Sequence, residues 1–217
     1  MPSNLQEWLA HISRVHPREI ELGLERTRRI AKAMSLSKLP KVVTVAGTNG
    51  KGSVLSVMES LLCNAGERVG CYTSPHLHRF NERIRLQGFP CDDDLICEAF
   101  SRIDAIRREV SLSYFEFATL AALWIFQRKR VSIALLEVGL GGRLDAVNFL
   151  GPDLTAICSL SRDHQGILGN SLKEILREKL GISRSQVPLI TGFELEWLQK
   201  QTETFCDQNK IPHYFYL

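Results

Sequence analysis

Residues 42–53, Val-Val-Thr-Val-Ala-Gly-Thr-Asn-Gly-Lys-Gly-Ser, carry the densest chemistry in this 217-residue chain. An apolar, β-branched run ends in a turn with three glycines, and the helical spacing of Val54, Leu55, Met58, Leu61 and Leu62 follows. Glycines let a backbone come close to a polyphosphate, the first N–H groups of a helix have no partners within it, and Lys51 adds a full positive charge. A cation at a helix N-terminus opposes the dipole unless an anion sits there too. The expected ligand is the phosphate end of a nucleotide. The stretch departs from G-x-x-x-x-G-K-[ST] at two places: Val45 stands at the first glycine, and Gly52 separates Lys51 from Ser53.

A second candidate is Glu137, the one carboxylate in the apolar run 132–139. Buried acids are costly unless paired or holding a cation, and phosphoryl transfer needs magnesium beside the phosphate loop, so Glu137 is a candidate ligand or water holder. The plainer reading is a carboxylate emerging into solvent at a strand end. His164 follows the apolar run 154–160, and strand ends are where open α/β sheets bind ligands, so it shares one expected rim with Ser53, Ser74 and Glu137. Arg143 and Asp145, in the loop 139–146, are placed to pair with each other or to face a ligand. Lys179, near the end of a short helix, is by itself a surface charge favoured by the dipole. His76 and His78 lack a partner cluster and read as loop residues rather than a metal pair.

Helices and strands must position these groups. Helical spacing covers 4–16 and 19–34, and strands are expected at 42–46, 68–73, 82–86, 132–139, 154–160, 188–192 and 213–217. Pro90 and Asp92–Asp94 open a helix to about residue 110. Ser113 opens another, buried on more than one side, to about 128, and a last one runs over 194–208. Strands alternating with helices give an α/β fold with a mostly parallel sheet covered on both faces. The helical lead-in (1–40) and the α/β core (41–217) are expected to form one domain.

Composition narrows the classes. With 44% hydrophobic and 24% charged residues and a net charge of +3, the chain is an ordinary globular one, and its scattered basic residues do not point to nucleic acid. No apolar run reaches the ~20 residues of a membrane span and no signal peptide opens the chain, so a cytoplasmic location is expected. Six cysteines without a C-x-x-C pair are expected as free thiols.

In combination, several segments resemble the ATP-dependent amide ligases of the Mur ligase superfamily, specifically the bifunctional dihydrofolate synthase/folylpolyglutamate synthases. They include residues 22–26 (LGLER), 46–53 (AGTNGKGS), 72–77 (YTSPHL), 114–116 (YFE), 136–146 (LEVGLGGRLDA), Asp163-His164 with Leu168-Gly169, and 177–182 (REKLGI). That family uses the Gly-Lys-Gly-Ser form of the phosphate loop. The resemblance implies a P-loop NTPase-like fold of the Mur ligase central-domain type. It implies that Thr48, Asn49, Gly50, Lys51, Gly52 and Ser53 bind ATP, and that Ser74, Glu137 and His164 hold Mg2+, two ions in all. It gives Lys51, His164 and Lys179 catalytic parts, with Lys179 carbamylated. Glu21, Leu22, Gly23 and Leu24, with Ser113, Tyr114, Phe115 and Glu116, and with Leu144, Asp145 and Ala146, would line a pteroate pocket. The implied reaction adds L-glutamate to dihydropteroate and to reduced folates through an acyl phosphate. No organic cofactor is needed, and a monomer is expected.

The chain departs from the family pattern at Val147, Gln165, Leu180 and Ser183. The resemblance also implies a second, C-terminal glutamate-ligase domain absent from this chain, so the 217 residues alone are expected to fold and bind nucleotide weakly without turnover. The competing readings are another Mur-type ligase, disfavoured by 72–77 and 114–116, and a nucleotide-binding module without ligase activity, disfavoured by the joint presence of Lys51, Ser74, Glu137, His164 and Lys179.

Overall fold

A computed structural model describes residues 2–17, 21–36, 41–163 and 165–216. Eight strands form one sheet in the order β4-β3-β2-β5-β1-β6-β7-β8. The strands β1 (Val42–Ala46), β2 (Val69–Tyr72), β5 (Ile133–Glu137), β6 (Leu154–Ile157), β7 (Leu189–Thr191) and β8 (His213–Phe215) run parallel. Among the described residues only the short β3 (Ile84–Leu86) and β4 (Phe89–Pro90) pair antiparallel, folding back along β2.

The β1, β2 and β5 strands are buried throughout, which is why they read as continuous apolar runs. Alternate residues still serve opposite layers. Val43, Val45, Val69, Cys71, Ile133 and Leu135 meet Leu55 of α3 (Lys51–Asn64). Ala46, Tyr72, Ala134 and Leu136 face the larger core, built with α1 (Leu5–Val15), α2 (Glu25–Ala33), α4 (Asp93–Arg107) and α5 (Tyr114–Arg128). The α5 helix lies against the sheet and is buried on nearly every side. The remaining helices are α6 (Gln165–Leu168), α7 (Leu172–Leu180) and α8 (Glu196–Asn209). None of the described helices is long and apolar enough to cross a membrane. All six cysteines are free thiols, Cys71, Cys91 and Cys206 buried.

Three expectations need correction. The helix expected over 19–34 begins only at Glu25, because Gly23 adopts φ +156°, a conformation no helix contains. In the stretch 82–86, Glu82 belongs instead to a 3-10 turn (Phe80–Arg83), its carboxylate drawn to the N–H groups of Leu77, His78 and Arg79. The helix after Pro90 stops at Arg107 rather than near 110, where Arg108 turns to φ +50°.

Candidate active site

The phosphate loop joins β1 to α3 at the C-terminal edge of the sheet. Gly50, at φ +84°, is the residue before the first helical turn, a backbone shape that disfavours any side chain. The end of β6 pins the loop from the side. The Thr48 N–H donates to the Ser159 carbonyl (3.0 Å), the Asn49 N–H to the Ser159 hydroxyl (2.9 Å), and the Ser161 N–H to the Thr48 hydroxyl (3.0 Å). Lys51 folds over the turn, its ammonium donating to the carbonyls of Gly47 (3.0 Å) and Thr48 (3.3 Å). Gly52 and Ser53 begin the helix, with Ser53 exposed.

Neighbouring strands bring further groups to the same edge. Glu137 ends β5 one strand from the loop, with Val45 as its register partner in β1. It is buried and accepts a hydrogen bond from the Ser74 N–H (2.9 Å). Burial pushes its carboxyl above the usual range, opposed by that N–H and by the Lys51, Arg85 and Arg83 cations. Among the described residues no three His, Cys, Asp or Glu side chains gather as a metal cluster. The hard oxygens of Ser74 and Glu137 are of the kind magnesium takes. His164 lies outside the described residues.

Lys179 is in the last turn of α7, a helix started by a reciprocal Ser171–Glu174 cap. It is no surface charge: it is 4% exposed and lines a small cleft of about 30 Å³ with Gly47, Thr48, Lys51 and Asp163. Burial and the Lys51 charge lower its ammonium to about 8, against the pull of Asp163 and Cys158. Two cations converging on one phosphate-sized cleft suit a highly charged anion.

Beside that cleft lies a larger cavity of about 240 Å³. Of the residues expected to form a substrate pocket, Glu21, Leu22, Gly23, Ser113, Phe115, Glu116, Leu144, Asp145 and Ala146 line it. Leu24 is buried instead, and Tyr114 packs edge-on against Phe80 beneath the Arg83 guanidinium. Glu116 is buried, accepting from Arg26 (3.1 Å), Thr27 (3.3 Å) and the Ser113 N–H (2.8 Å). Arg26 also pairs with Glu21, whose carboxylate reaches His16 at 2.9 Å. Asp145 faces its own loop, accepting from the N–H groups of Leu140 (2.8 Å) and Val147 (3.0 Å); burial lifts its carboxyl to about 6. Arg143 pairs with Glu178 (2.8 Å) rather than with Asp145, tying this loop to the helix that carries Lys179.

Sequence reasoning missed Ser159 and Ser161, which brace the phosphate loop, and the cavity residues Pro75, Arg83, Gly139 and Leu140. Gly139 and Leu140 line both the cleft and the cavity, so the two spaces adjoin across two residues.

No protein-family model matches the chain. It is 44% identical over 191 residues to the dihydrofolate synthase/folylpolyglutamate synthase of Escherichia coli strain K12, an alignment covering 88% of this chain and 45% of that protein. The structure of Escherichia coli FolC in complex with DHPP and ADP superposes with a TM-score of 0.93 at 40% identity, covering 99% of this chain and 52% of that one. By sequence and by fold, the chain is a close homologue of the dihydrofolate synthase/folylpolyglutamate synthases. The bifunctional enzyme of Yersinia pestis, complexed with AMPPNP and Mn ion, superposes at 0.92 with 41% identity over 99% of this chain and 53% of that one. The chain thus spans about half the length of the relatives it matches, and its α/β sheet with helices on both faces is theirs.

Proposed function

We propose that this chain supplies the ATP-binding and pteroate-binding half of an ADP-forming ligase that joins L-glutamate to dihydropteroate and reduced folates. The observation that carries this reading is the shared wall at Gly139 and Leu140, which sets a phosphate cleft directly against an organic cavity. A carboxylate held at the near end of the cavity lies next to a nucleotide's terminal phosphate. Its oxygen bonds to the γ-phosphorus as the bond to the β–γ bridging oxygen breaks and ADP leaves; the glutamate nitrogen then displaces phosphate from the carbonyl carbon and gives up a proton. Most of the catalysis is positioning and electrostatic stabilisation.

In this scheme residues 48–53 bind the phosphates and Lys51 neutralises charge on the transferring group. Ser74 and Glu137, with His164, hold Mg2+, which supplies further neutralisation when bound. Carbamylation of Lys179 is supported by its lowered affinity for a proton. At about 8, roughly a tenth of the amine is neutral at pH 7 and able to attack carbon dioxide. The unpaired thiols are in keeping with a cytoplasmic site of action.

Calorimetric titration tests the reading. The 217-residue chain is expected to bind ADP with Mg2+ and, separately, dihydropteroate. Lys51→Ala should weaken ADP at least about tenfold and leave dihydropteroate unchanged. Failure to bind either ligand overturns the proposal.

A further inference from the structure

Among the described residues, the charged groups that line the large cavity are three carboxylates and one cation, Arg83. All three carboxylates are already engaged: Glu21 and Glu116 by Arg26, Asp145 by backbone N–H groups. Arg83 is different. Among the described residues no carboxylate lies within ion-pair distance of it, and the acid next to it in sequence, Glu82, is turned away to three backbone N–H groups. The neighbouring Arg85 is saturated by Glu59 (2.8 Å), the Thr73 hydroxyl (3.1 Å) and the Glu82 carbonyl (3.2 Å).

Arg83 is nonetheless held firmly. Its Nε donates to Nδ1 of His76 (2.8 Å), and the guanidinium sits 5.6 Å from the Tyr114 ring centre and 5.9 Å from that of Phe80. Its carbonyl accepts from the Thr73 N–H (2.9 Å), one residue before the Ser74 whose N–H reaches Glu137. These contacts use Nε and the ring face, and leave the two terminal amino groups without an acceptor among the described residues. A clamped guanidinium with free terminal donors matches a carboxylate.

We infer that Arg83 is the residue that receives the substrate carboxylate and presents it to the phosphate cleft. The inference rests on the ligase reading above and adds to it a residue that selects acids from their uncharged analogues. The two rings and His76 hold the guanidinium in place, so a bound carboxylate meets a preset fork.

The test compares binding of dihydropteroate and of its carboxamide to the wild-type chain, Arg83→Met and Arg83→Lys, with ADP titration as a check on folding. Methionine keeps an apolar stem on the two rings and removes the charge. The acid should bind roughly 10- to 100-fold more weakly to Arg83→Met, the carboxamide within about twofold of wild type, and ADP unchanged. Arg83→Lys, which keeps the charge but not the fork, should fall between, and it decides the matter should Arg83→Met fail the ADP check. Equal effects on acid and carboxamide, or none on either, overturn the role of Arg83 and leave the ligase reading standing. A wild-type chain that binds neither compound overturns the ligase reading, and this inference with it.

Discussion

Replacing Lys179 by methionine should make the ligand-free protein more stable. The ammonium is 4% exposed and lies in the same cleft as Lys51. Its descent from 10.5 to about 8 corresponds to about 3 kcal/mol of unfavourable free energy for the charged form, at about 1.4 kcal/mol per tenfold change in proton affinity. Between pH 8 and 10.5 the unfolded chain keeps a proton that the folded chain has released, so stability rises with pH through that window; below it both states are charged and the penalty is complete. Urea unfolding in bicarbonate-free buffer should therefore show Lys179→Met gaining about 1–3 kcal/mol at pH 7, with the gain shrinking by about 2 kcal/mol by pH 9.5. The pH difference isolates charge, because packing of the new side chain is the same at both values. Bicarbonate should then stabilise the wild type and leave the variant unmoved, since a methionine at this position has no amine to carbamylate. A variant that loses stability at pH 7, or whose gain does not change with pH, would refute the reasoning.

Two other perturbations probe the wall between cleft and cavity. Asp145, raised from 3.8 to about 6, contributes stability that is complete below the first value and lost as pH climbs through the second. Asp145→Asn should accordingly gain about 2 kcal/mol on the wild type between pH 4 and pH 7, followed by urea midpoints at each pH. A methyl group on Gly139 would lie 2.6 Å from the Phe115 ring, so Gly139→Ala should push that ring into the cavity and weaken dihydropteroate about tenfold by calorimetry, the equivalent of about 1.4 kcal/mol of overpacking.

Much of the architecture was legible because parallel strands buried on both faces must be apolar throughout. Val42–Ala46 and Ile133–Glu137 announced themselves that way, as did the lone acid that ends the second. Ser113 with Glu116, a reciprocal cap, marked the start of α5 to the residue. Local pattern failed where a tertiary partner decides. The two-residue β4 exists only because β3 folds back beside it, and the four-residue α6 is too short to show periodicity. Lys179 read as a surface charge because its helix is amphipathic and nothing local says that the phosphate loop packs over that turn. Nothing local singles out Arg83; that no carboxylate among the described residues lies within ion-pair distance of it, and that two rings pack against it, are visible only in three dimensions.

The bracing of the phosphate loop by the end of β6 has a further consequence. Thr48 and Asn49 are tethered to Ser159 and Ser161 by hydrogen bonds within the protein itself, so part of the entropy of ordering that turn is met by the fold rather than at the moment of capture. Nucleotide should dock onto a ready-made surface at rates set by diffusion and charge, and damage far along the chain from the phosphate loop, in the few residues beyond Ile157, would surface as weakened capture with the chemistry itself intact.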